Sequence, residues 1–267
     1  MSLSRRRALA ACCLCPLLAT LSAVAGDLDE VRARGRLRVA VWKDNLPELF
    51  DPRAGGAGFE KEFLDGFAAL QRLQLEVLPT DAIDDRVQAV LDGRADVVAG
   101  GVVATAARRK LLDFTGEVFP IRHVVVTRGA TPPVASLEEL RRLRLGTVKG
   151  SSWAGEIERA GVPAAQVESR FATAEEMLEG LRQGRFQAVV MTTVWAVVAQ
   201  RRDPELKLGL QLGEHQGLGF GLRHDQPQLR AVLDDYLSKL RLTPTWGRLV
   251  VKYFGPSGLE ILRRSRD

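Results

Sequence analysis

The residues with the clearest chemical potential lie at two turns between predicted strands and helices. Gly150-Ser151-Ser152 follows one predicted strand and opens a predicted helix. Free backbone N–H groups at a helix N-terminus attract anions, and serine hydroxyls add hydrogen-bond donors. Helix capping alone would also explain the two serines, and capping and binding are compatible. Ser151 and Ser152 are therefore candidates for binding an anionic group.

The second turn contains a glycine pair, Gly100-Gly101, and leads to Arg108. A guanidinium offers a planar pair of donors that fits a carboxylate. Two more basic residues follow Arg108, so a solvated helix surface is the alternative interpretation. Gly101 would let a ligand approach the backbone closely, and Thr105 would cap the helix that carries Arg108. An ordinary strand-to-helix turn explains these two residues equally well.

Patterns typical of enzymes and metalloproteins are missing from the sequence. The cysteines all fall within the first 25 residues, at Cys12, Cys13 and Cys15. The histidines lack metal-ligand spacing and are His123, His215 and His224. The glycines at 217–221 do not have dinucleotide-binding spacing, and no nucleophile triad or phosphate-binding loop is visible. We expect no catalytic residues, no metal and no cofactor.

The N-terminus has the pattern of a secretory signal peptide. Three arginines at 5–7 precede an apolar stretch from Ala8 to about Val24, and Ala23-Val24-Ala25 fits a cleavage site. We expect residues 1–25 to be removed and the protein to act in the periplasm. The residues around the arginines leave both general secretion and twin-arginine export open.

The charge of the chain argues against binding to nucleic acid. The net charge of +5 falls to +2 when the three arginines at 5–7 are left out, and the charged residues are interspersed. This distribution is typical of an ordinary solvated surface rather than a basic nucleic-acid-binding face. The remaining length suits one large domain or two lobes, and we expect a monomer.

Short apolar runs alternate with amphipathic stretches along the chain, which predicts an α/β fold with parallel strands. Phenylalanines at helical spacing predict a helix over 59–72. The other predicted elements of the first set are strands at 37–42, 75–78 and 95–99 and a helix at 84–91. The second set has strands at 143–148, 167–171, 188–191 and 206–210, with helices between them. A helical tail is predicted over 227–263.

Two similar α/β sets predict two lobes with a ligand cleft between them, since lobe interfaces often hold small ligands. We expect the first lobe to comprise residues 26–127 and 217–267, and the second lobe residues 128–216. Extended segments near 124–129 and 213–220 are the expected crossings between them.

Five segments resemble the periplasmic solute-binding proteins of bacterial extracellular family 3, the polar amino-acid ABC transporter type. They are G-R-L-R-V-A-V at 35–41, G-F-E-K-E-F at 58–63, T-A-A-R-R-K-L-L-D-F-T at 105–115, L-G-T-V-K-G-S-S at 145–152 and W-G-R-L-V-V-K-Y-F-G at 246–255. Their order and spacing are more specific than any single match, and the resemblance runs from about residue 28 to the C-terminus.

The resemblance implies a two-lobed periplasmic-binding-protein-like fold of type II, which closes on a ligand by hinge motion. It assigns the ligand carboxylate to Arg108. It also places an aromatic or polar contact near Trp42 and Asp44, and an acidic residue at Glu60. For Trp42 a core position is favoured over a ligand contact, because large aromatic residues are mostly buried. Glu60 is equally compatible with a helix N-terminus that favours acidic residues. Trp153 and Trp195 are further cleft candidates, but a core position is favoured for each.

Two departures from the family pattern concern the ligand. The family usually places an aspartate that pairs with an α-amino group where this chain has Thr192, and an uncharged threonine cannot neutralise a buried ammonium. Val103 stands where a hydroxyl often contacts the carboxylate. These departures predict a carboxylate ligand that has no α-amino group or carries its amine elsewhere. An ordinary α-amino acid stays open if Asp44 or Glu60 takes over the amine.

The resemblance favours a binding protein that presents its ligand to the permease of an ABC transporter, and it disfavours an enzyme. An accessory or sensory binding protein of the same fold is the first alternative. The second is an exported enzyme like the cyclohexadienyl dehydratases, which resemble this family. Its general acid would come from Glu60, Glu117 or Asp44.

Overall fold

The computed structural model describes residues 27–264, so the predicted signal peptide and the three cysteines lie outside the described residues. Its strands form two five-stranded sheets. The first sheet consists of β1 (Arg36–Trp42), β2 (Gln74–Thr80), β3 (Val97–Val98), β4 (Asp113–Phe114) and β10 (Gly221–Leu222), in the order β2-β1-β3-β10-β4. The second consists of β5 (Phe119–Arg128), β6 (Leu145–Val148), β7 (Val167–Phe171), β8 (Ala188–Thr192) and β9 (Leu206–Leu218), in the order β7-β6-β8-β5-β9.

Helices connect these strands and complete the layers. They are α1 (Asp27–Arg34), α2 (Pro47–Phe50), α3 (Phe59–Leu70), α4 (Ile83–Leu91), α5 (Ala106–Arg109), α6 (Leu137–Leu140), α7 (Ser152–Arg159), α8 (Ala174–Arg182), α9 (Thr193–Arg202), α10 (Pro227–Arg241) and α11 (Pro244–Arg264). A short 3-10 helix spans Ala164–Gln166, and α11 is kinked at Gly255. Within the described part of the chain, no helix has the length and hydropathy needed to cross a membrane.

The parallel pairing predicted from the sequence is confirmed in both sheets. β1 runs parallel to β2 and to β3, and β6 runs parallel to β7 and to β8. Each parallel neighbour is reached through a helix, as the connection between parallel strands requires. The third predicted strand is shorter than expected, since only Val97–Val98 pair in the sheet. The predicted α/β class is therefore correct.

Two long antiparallel strands lie where the chain passes between the sheets. β5 pairs with β9 along almost its whole length, and both belong to the second sheet. The chain leaves the first sheet after Phe114 and enters the second at Phe119, and it returns between Leu218 and Gly221. Residues 119–127 thus lie in the second sheet, whereas the predicted lobe boundary follows residue 127.

Each sheet packs against its own apolar cores. One face of the first sheet packs on an aromatic cluster in which Phe59 contacts Phe63, Phe119 and Phe254 with ring centroids 4.6–5.5 Å apart. A smaller cluster that includes Val87, Val90 and Leu112 covers the other face. The second sheet has a separate cluster of its own. Helix α3 presents phenylalanines every four residues to the first cluster, which explains its predicted apolar face.

A buried carboxylate joins the start of the first sheet to helix α1. The Asp96 side chain is 1% exposed and accepts hydrogen bonds from Arg34 Nη2 (2.8 Å) and Arg38 Nη2 (2.7 Å). It also accepts a hydrogen bond of 2.9 Å from the backbone N–H of Arg38. One carboxylate therefore ties the end of α1 to β1 just before β3 begins.

Replacing this carboxylate tests its contribution to stability. We expect Asp96→Asn to lower the free energy of unfolding by about 2–3 kcal/mol, because two guanidinium groups lose their buried partner. Urea denaturation of both proteins measures the difference. The control is Asp92→Asn, since Asp92 forms an exposed pair with Arg94 at 3.4 Å and should change stability by less than about 0.5 kcal/mol. Equal effects of the two substitutions would contradict this role for Asp96.

Candidate functional site

A small cavity lies where elements of the two sheets meet, and it unites most of the predicted site residues. Its volume is about 30 Å³, enough for two or three water molecules. Seven of the ten residues predicted to bind ligand line this cavity. They are Trp42, Gly101, Val103, Arg108, Ser151, Ser152 and Thr192. The remaining lining residues are Asn45, Arg86, Gly100, Trp153 and Trp195.

Arg108 reaches from the first-sheet side of the cavity to the second. Its Nη1 donates to the Val103 carbonyl (3.1 Å) and its Nη2 to the Gly150 carbonyl (3.4 Å). The Thr105 hydroxyl accepts the Arg108 backbone N–H at 3.3 Å, so Thr105 caps α5 as predicted but does not line the cavity. Burial lowers the pKa of Arg108, and nearby Asp84 partly opposes this effect. A desolvated cation in this position favours an anionic ligand.

The start of α7 forms the opposite wall. Ser151 is the N-cap: its hydroxyl accepts the Ala154 N–H (3.3 Å) and donates to the Val148 carbonyl (2.6 Å). The first-turn N–H groups of a helix have no partner within that helix, and the helix dipole places partial positive charge there. Capping thus occupies the Ser151 side chain, whereas Ser152 keeps its hydroxyl for other contacts.

The Ser152 hydroxyl is hydrogen-bonded to a buried histidine, His123. The Nε2 atom of His123 lies 3.1 Å from Ser152 Oγ, and its Nδ1 lies 3.8 Å from a carboxylate oxygen of Glu156. Burial lowers the pKa of His123 to about 4, so the imidazole is neutral near pH 7. In the sequence, His123 was considered only as a metal ligand and was set aside because the histidines lack metal-ligand spacing. Its hydrogen bond to Ser152 was therefore not predicted.

The glycine turn between β3 and α5 is built around Glu60. The carboxylate of Glu60 is fully buried and accepts the backbone N–H groups of Gly100 (2.7 Å) and Gly101 (3.0 Å). Both glycines have positive φ, at 86° and 72°. A Cβ on Gly100 would lie 2.4 Å from Asn45 Nδ2. The turn therefore requires glycine, and Glu60 supports it from behind rather than lining the cavity.

Arg86 is a lining residue that the sequence analysis did not identify. It is 4% exposed, and its Nη1 donates to the carbonyls of Ala99 (3.2 Å) and Gly100 (2.8 Å). Burial and the charge of Arg108 lower its pKa to about 9, while Glu60 and Asp84 oppose this effect. An arginine on the apolar face of α4 was the available sequence signal, because Ala89 and Val90 of the same face are buried.

Three tryptophans enclose the cavity. Trp153 and Trp195 meet edge to face with ring centroids 5.5 Å apart. Trp42 is 2% exposed and packs in the core cluster of the second sheet although it belongs to β1. It therefore belongs to the core and lines the cavity at the same time. Thr192 is buried at the start of α9, where the family pattern has an aspartate.

The acidic candidates do not line the cavity. Asp44 is exposed and Glu60 lies behind the glycine turn, while Glu117 pairs with His215 at 2.6 Å. Among the twelve lining residues in the described part of the chain, two are arginines and none is Asp or Glu. Across residues 27–264, no group of three or more His, Cys, Asp or Glu side chains is arranged to hold a metal ion. The described lining of the cavity is therefore cationic.

The buried Glu60 makes stability depend on pH. Burial raises the pKa of Glu60 from 4.5 to about 7, although its hydrogen bonds and Arg86 oppose this effect. Between pH 4.5 and 7 the folded state therefore binds more protons than the unfolded state, and stability falls as pH rises. At about 1.4 kcal/mol per unit of pKa, Glu60 alone should lower the free energy of unfolding by about 3 kcal/mol across this window. Buried His123 acts in the opposite direction, because its pKa is lowered to about 4 and its contribution to stability therefore rises between about pH 4 and 6.5.

Urea denaturation at pH 4.5, 5.5, 6.5 and 7.5 measures this dependence. Relative to the wild type, Glu60→Gln should become more stable with rising pH by about 3 kcal/mol across this window, because an amide does not titrate and the contribution of His123 remains. Asp44→Asn on the exposed surface should keep the pH profile of the wild type. A Glu60→Gln protein with the same pH dependence as the wild type would show that Glu60 is not the titrating group.

Comparison with known proteins identifies relatives of this chain. The chain is 24% identical over 232 residues to the membrane-bound lytic murein transglycosylase F of Alcanivorax borkumensis, covering 85% of this chain and 50% of that protein. A second transglycosylase F, from Stutzerimonas stutzeri, is 25% identical over 234 residues, covering 86% of this chain and 48% of that protein. The chain thus spans about half the length of these curated relatives.

The fold itself matches solved amino-acid-binding proteins. A mutant of ArgBP from T. maritima superposes with a TM-score of 0.76 at 21% identity, covering 85% of this chain and 98% of that one. At this identity the match shows the two-lobed type II periplasmic-binding-protein fold and no more. The sequence model for bacterial extracellular solute-binding proteins of family 3 matches residues 37–256. The chain therefore belongs to the bacterial extracellular solute-binding proteins of family 3.

Proposed function

We propose that the protein is exported to the periplasm, binds a small carboxylate in the cavity between its two lobes and presents it to the permease of an ABC transporter. The observation that carries this proposal is the charge of the cavity: two arginines and the start of α7 face it, and no residue of its lining within 27–264 is acidic. Anions are stabilised both by guanidinium groups and by helix N-termini.

Arg108 is the proposed carboxylate clamp. Two carbonyl oxygens accept from its Nη1 and Nη2, and the guanidinium has further N–H donors. Because its side chain already reaches the Gly150 carbonyl across the cavity, a carboxylate there would contact both walls. The ligand would thereby join the two sides of the cavity, as a closing binding protein requires.

The cavity lacks a partner for an α-amino group. Thr192 lines it as a neutral residue, and Glu60 already accepts two backbone N–H groups. Asp44, the other residue that could have replaced the aspartate, is exposed and outside the lining. These positions support a carboxylate ligand without an α-amino group, because a buried ammonium without a counter-charge is costly.

The proposed hinge consists of the two segments that join the sheets. Residues 115–118 precede β5, and Gly219 and Phe220 follow β9. The Thr115 N–H donates to the Phe220 carbonyl (2.9 Å), and the Phe220 N–H donates to the Thr115 hydroxyl (3.1 Å). The two crossings are thus bonded to each other, which suits a paired-strand hinge between the predicted lobes.

A sensory or accessory role is the second candidate. It is favoured by the curated relatives, which are named as lytic transglycosylases and are about twice as long as the matched region. In such a role the closed form would be recognised by a protein other than a permease. Deleting the gene should abolish uptake of the radiolabelled ligand if the protein serves transport, whereas unchanged uptake would support the sensory role.

A thermal-shift screen of residues 26–267 tests the carboxylate clamp. A ligand at 100 times its Kd should raise the Tm by about 5–10 °C, since it stabilises the folded state by about 2.7 kcal/mol. We expect hydroxy, keto or simple carboxylic acids to act and α-amino acids of the same length to act weakly. Arg108→Gln should weaken binding at least about 30-fold, because charge-assisted hydrogen bonds are lost.

The matched control is Arg109→Gln, because Arg109 is exposed and donates to the Ala104 carbonyl (3.1 Å) outside the cavity. Its affinity should equal that of the wild type. Two results would count against the proposal: equal weakening by both variants, or a strong shift with an α-amino acid that Arg108→Gln leaves intact.

A further inference from the structure

Two hydrogen-bond donors in the cavity walls have no partner. Trp42 Nε1 and Arg86 Nε are buried, and neither makes a hydrogen bond within the described part of the chain. The residues that carry them are 2% and 4% exposed, and both line the cavity. Neither donor belongs to the Arg108 contact or to the start of α7, so they are an independent feature of the site.

Unpartnered buried donors are costly. A buried donor without a partner loses its hydrogen bonds to water and gains none in return, so each such group in a native structure calls for an explanation. The Nη1 of Arg86 donates to two carbonyls of the glycine turn. Its Nε has no acceptor among the described residues. Acceptors for Trp42 and Arg86 would therefore come from a ligand.

Nearby side-chain acceptors are already occupied. Ser151 Oγ accepts the Ala154 N–H, and Ser152 Oγ is bonded to His123. Glu60 and Asp84 both act on the charge of Arg86. The two oxygens of Glu60 accept the N–H groups of the glycine turn, and Asp84 is exposed and outside the lining. The unpaired donors of Trp42 and Arg86 thus belong to residues that line the cavity, whereas the acceptors of Ser151, Ser152 and Glu60 are engaged in other hydrogen bonds.

The charges lead to the same conclusion. Arg86 and Arg108 lie close enough for the charge of one to affect the other, and both are desolvated. Asp84 offsets part of both charges and Glu60 part of that of Arg86, but neither acid lines the cavity. Two like charges in one dry cavity repel, and an anion with two negative groups would offset the remainder. A ligand with one carboxylate would satisfy Arg108 and leave the second pair of donors unpaired.

We propose that Trp42 and Arg86 form a second anion subsite and that the ligand is a short dicarboxylate. This inference rests on the proposed carboxylate clamp at Arg108 and adds the ligand class. One carboxylate would bind Arg108 and the start of α7, and the other would accept from Arg86 Nε and Trp42 Nε1. The cavity is small, at about 30 Å³, so a dicarboxylate would enter only when the two lobes separate, and we expect the shortest dicarboxylates to bind best.

Selectivity against monocarboxylates follows from the unpaired donors. A site built to hydrogen-bond a group rejects analogues that lack it far more strongly than an apolar pocket rejects an analogue one methylene shorter. We expect malonate or succinate to bind at least about 100-fold more tightly than acetate or propionate.

Isothermal titration calorimetry of residues 26–267 tests the subsite with malonate, succinate, acetate, propionate and inorganic phosphate as probes. Trp42→Phe removes the Nε1–H and keeps an aromatic ring, and should weaken dicarboxylate binding about tenfold without changing monocarboxylate affinity. Arg86→Lys keeps a positive charge but loses the Nε–H, and should act in the same direction. Trp42→Phe keeps the test informative if Arg86→Lys does not fold.

Two control variants lie outside the cavity. Trp246→Phe replaces a tryptophan that stacks on Phe63 in the first core, with ring centroids 5.1 Å apart. Arg94→Lys changes an exposed arginine. Both should bind dicarboxylates with the affinity of the wild type, even if Trp246→Phe lowers the Tm.

The outcomes separate this inference from the proposed function. Monocarboxylates that bind as tightly as dicarboxylates through Arg108 would overturn the second subsite and leave the clamp intact. Phosphate binding without dicarboxylate binding would overturn the ligand class. Dicarboxylate binding that Trp42→Phe leaves unchanged would also overturn the subsite. Binding that Arg108→Gln leaves unchanged would overturn the clamp itself, and with it the inference that rests on it.

Discussion

Glu60 and the glycine turn that it supports determine the shape of the cavity. A fully buried carboxylate accepts the N–H groups of Gly100 and Gly101, and both glycines adopt a conformation that side chains rarely tolerate. Arg86 binds the carbonyl of Gly100 from the other direction. Hydrogen bonds to both the N–H and the carbonyl groups of this glycine turn therefore fix its backbone beside the cavity. The segment that carries Val103 and Arg108 then begins from a defined position.

This support has a consequence for the electrostatics of the cavity. The oxygens of Glu60 accept backbone N–H groups and do not line the cavity. Glu60 therefore offsets part of the charge of Arg86 without being placed to contact a ligand. The lining itself contains Arg86 and Arg108 and no acid among the described residues. The helix dipole of α7 adds partial positive charge on the opposite wall. The carboxylate-binding proposal depends on this separation between an acid outside the lining and donors that line the cavity.

Much of the fold could be predicted from the sequence, because its elements have clear periodicity. The phenylalanines of α3 recur every four residues and form its buried face, and the apolar run of β1 is a central strand. The crossings between the sheets were harder to place, since β5 and β9 are long strands that extend past the predicted boundary. Antiparallel pairing over such a length depends on contacts distant in sequence, which a local pattern does not reveal.

Site residues that lie in a recognisable motif could be predicted from the sequence. Residues that reach the site only through tertiary packing could not. Arg108 and Ser151 lie in segments that resemble the family pattern, and both line the cavity. Asp44 is only two residues from Trp42, yet it points to solvent because the chain turns after β1. Arg86 and His123 were missed because each contributes through a partner that is distant in sequence.

The most direct test of the central claim is a crystal structure of residues 26–267 grown with a saturating short carboxylate. The account predicts a carboxylate within about 3 Å of the Arg108 guanidinium and of a first-turn N–H group of α7. A ligand bound elsewhere, with Arg108 still donating only to the carbonyls of Val103 and Gly150, would contradict it.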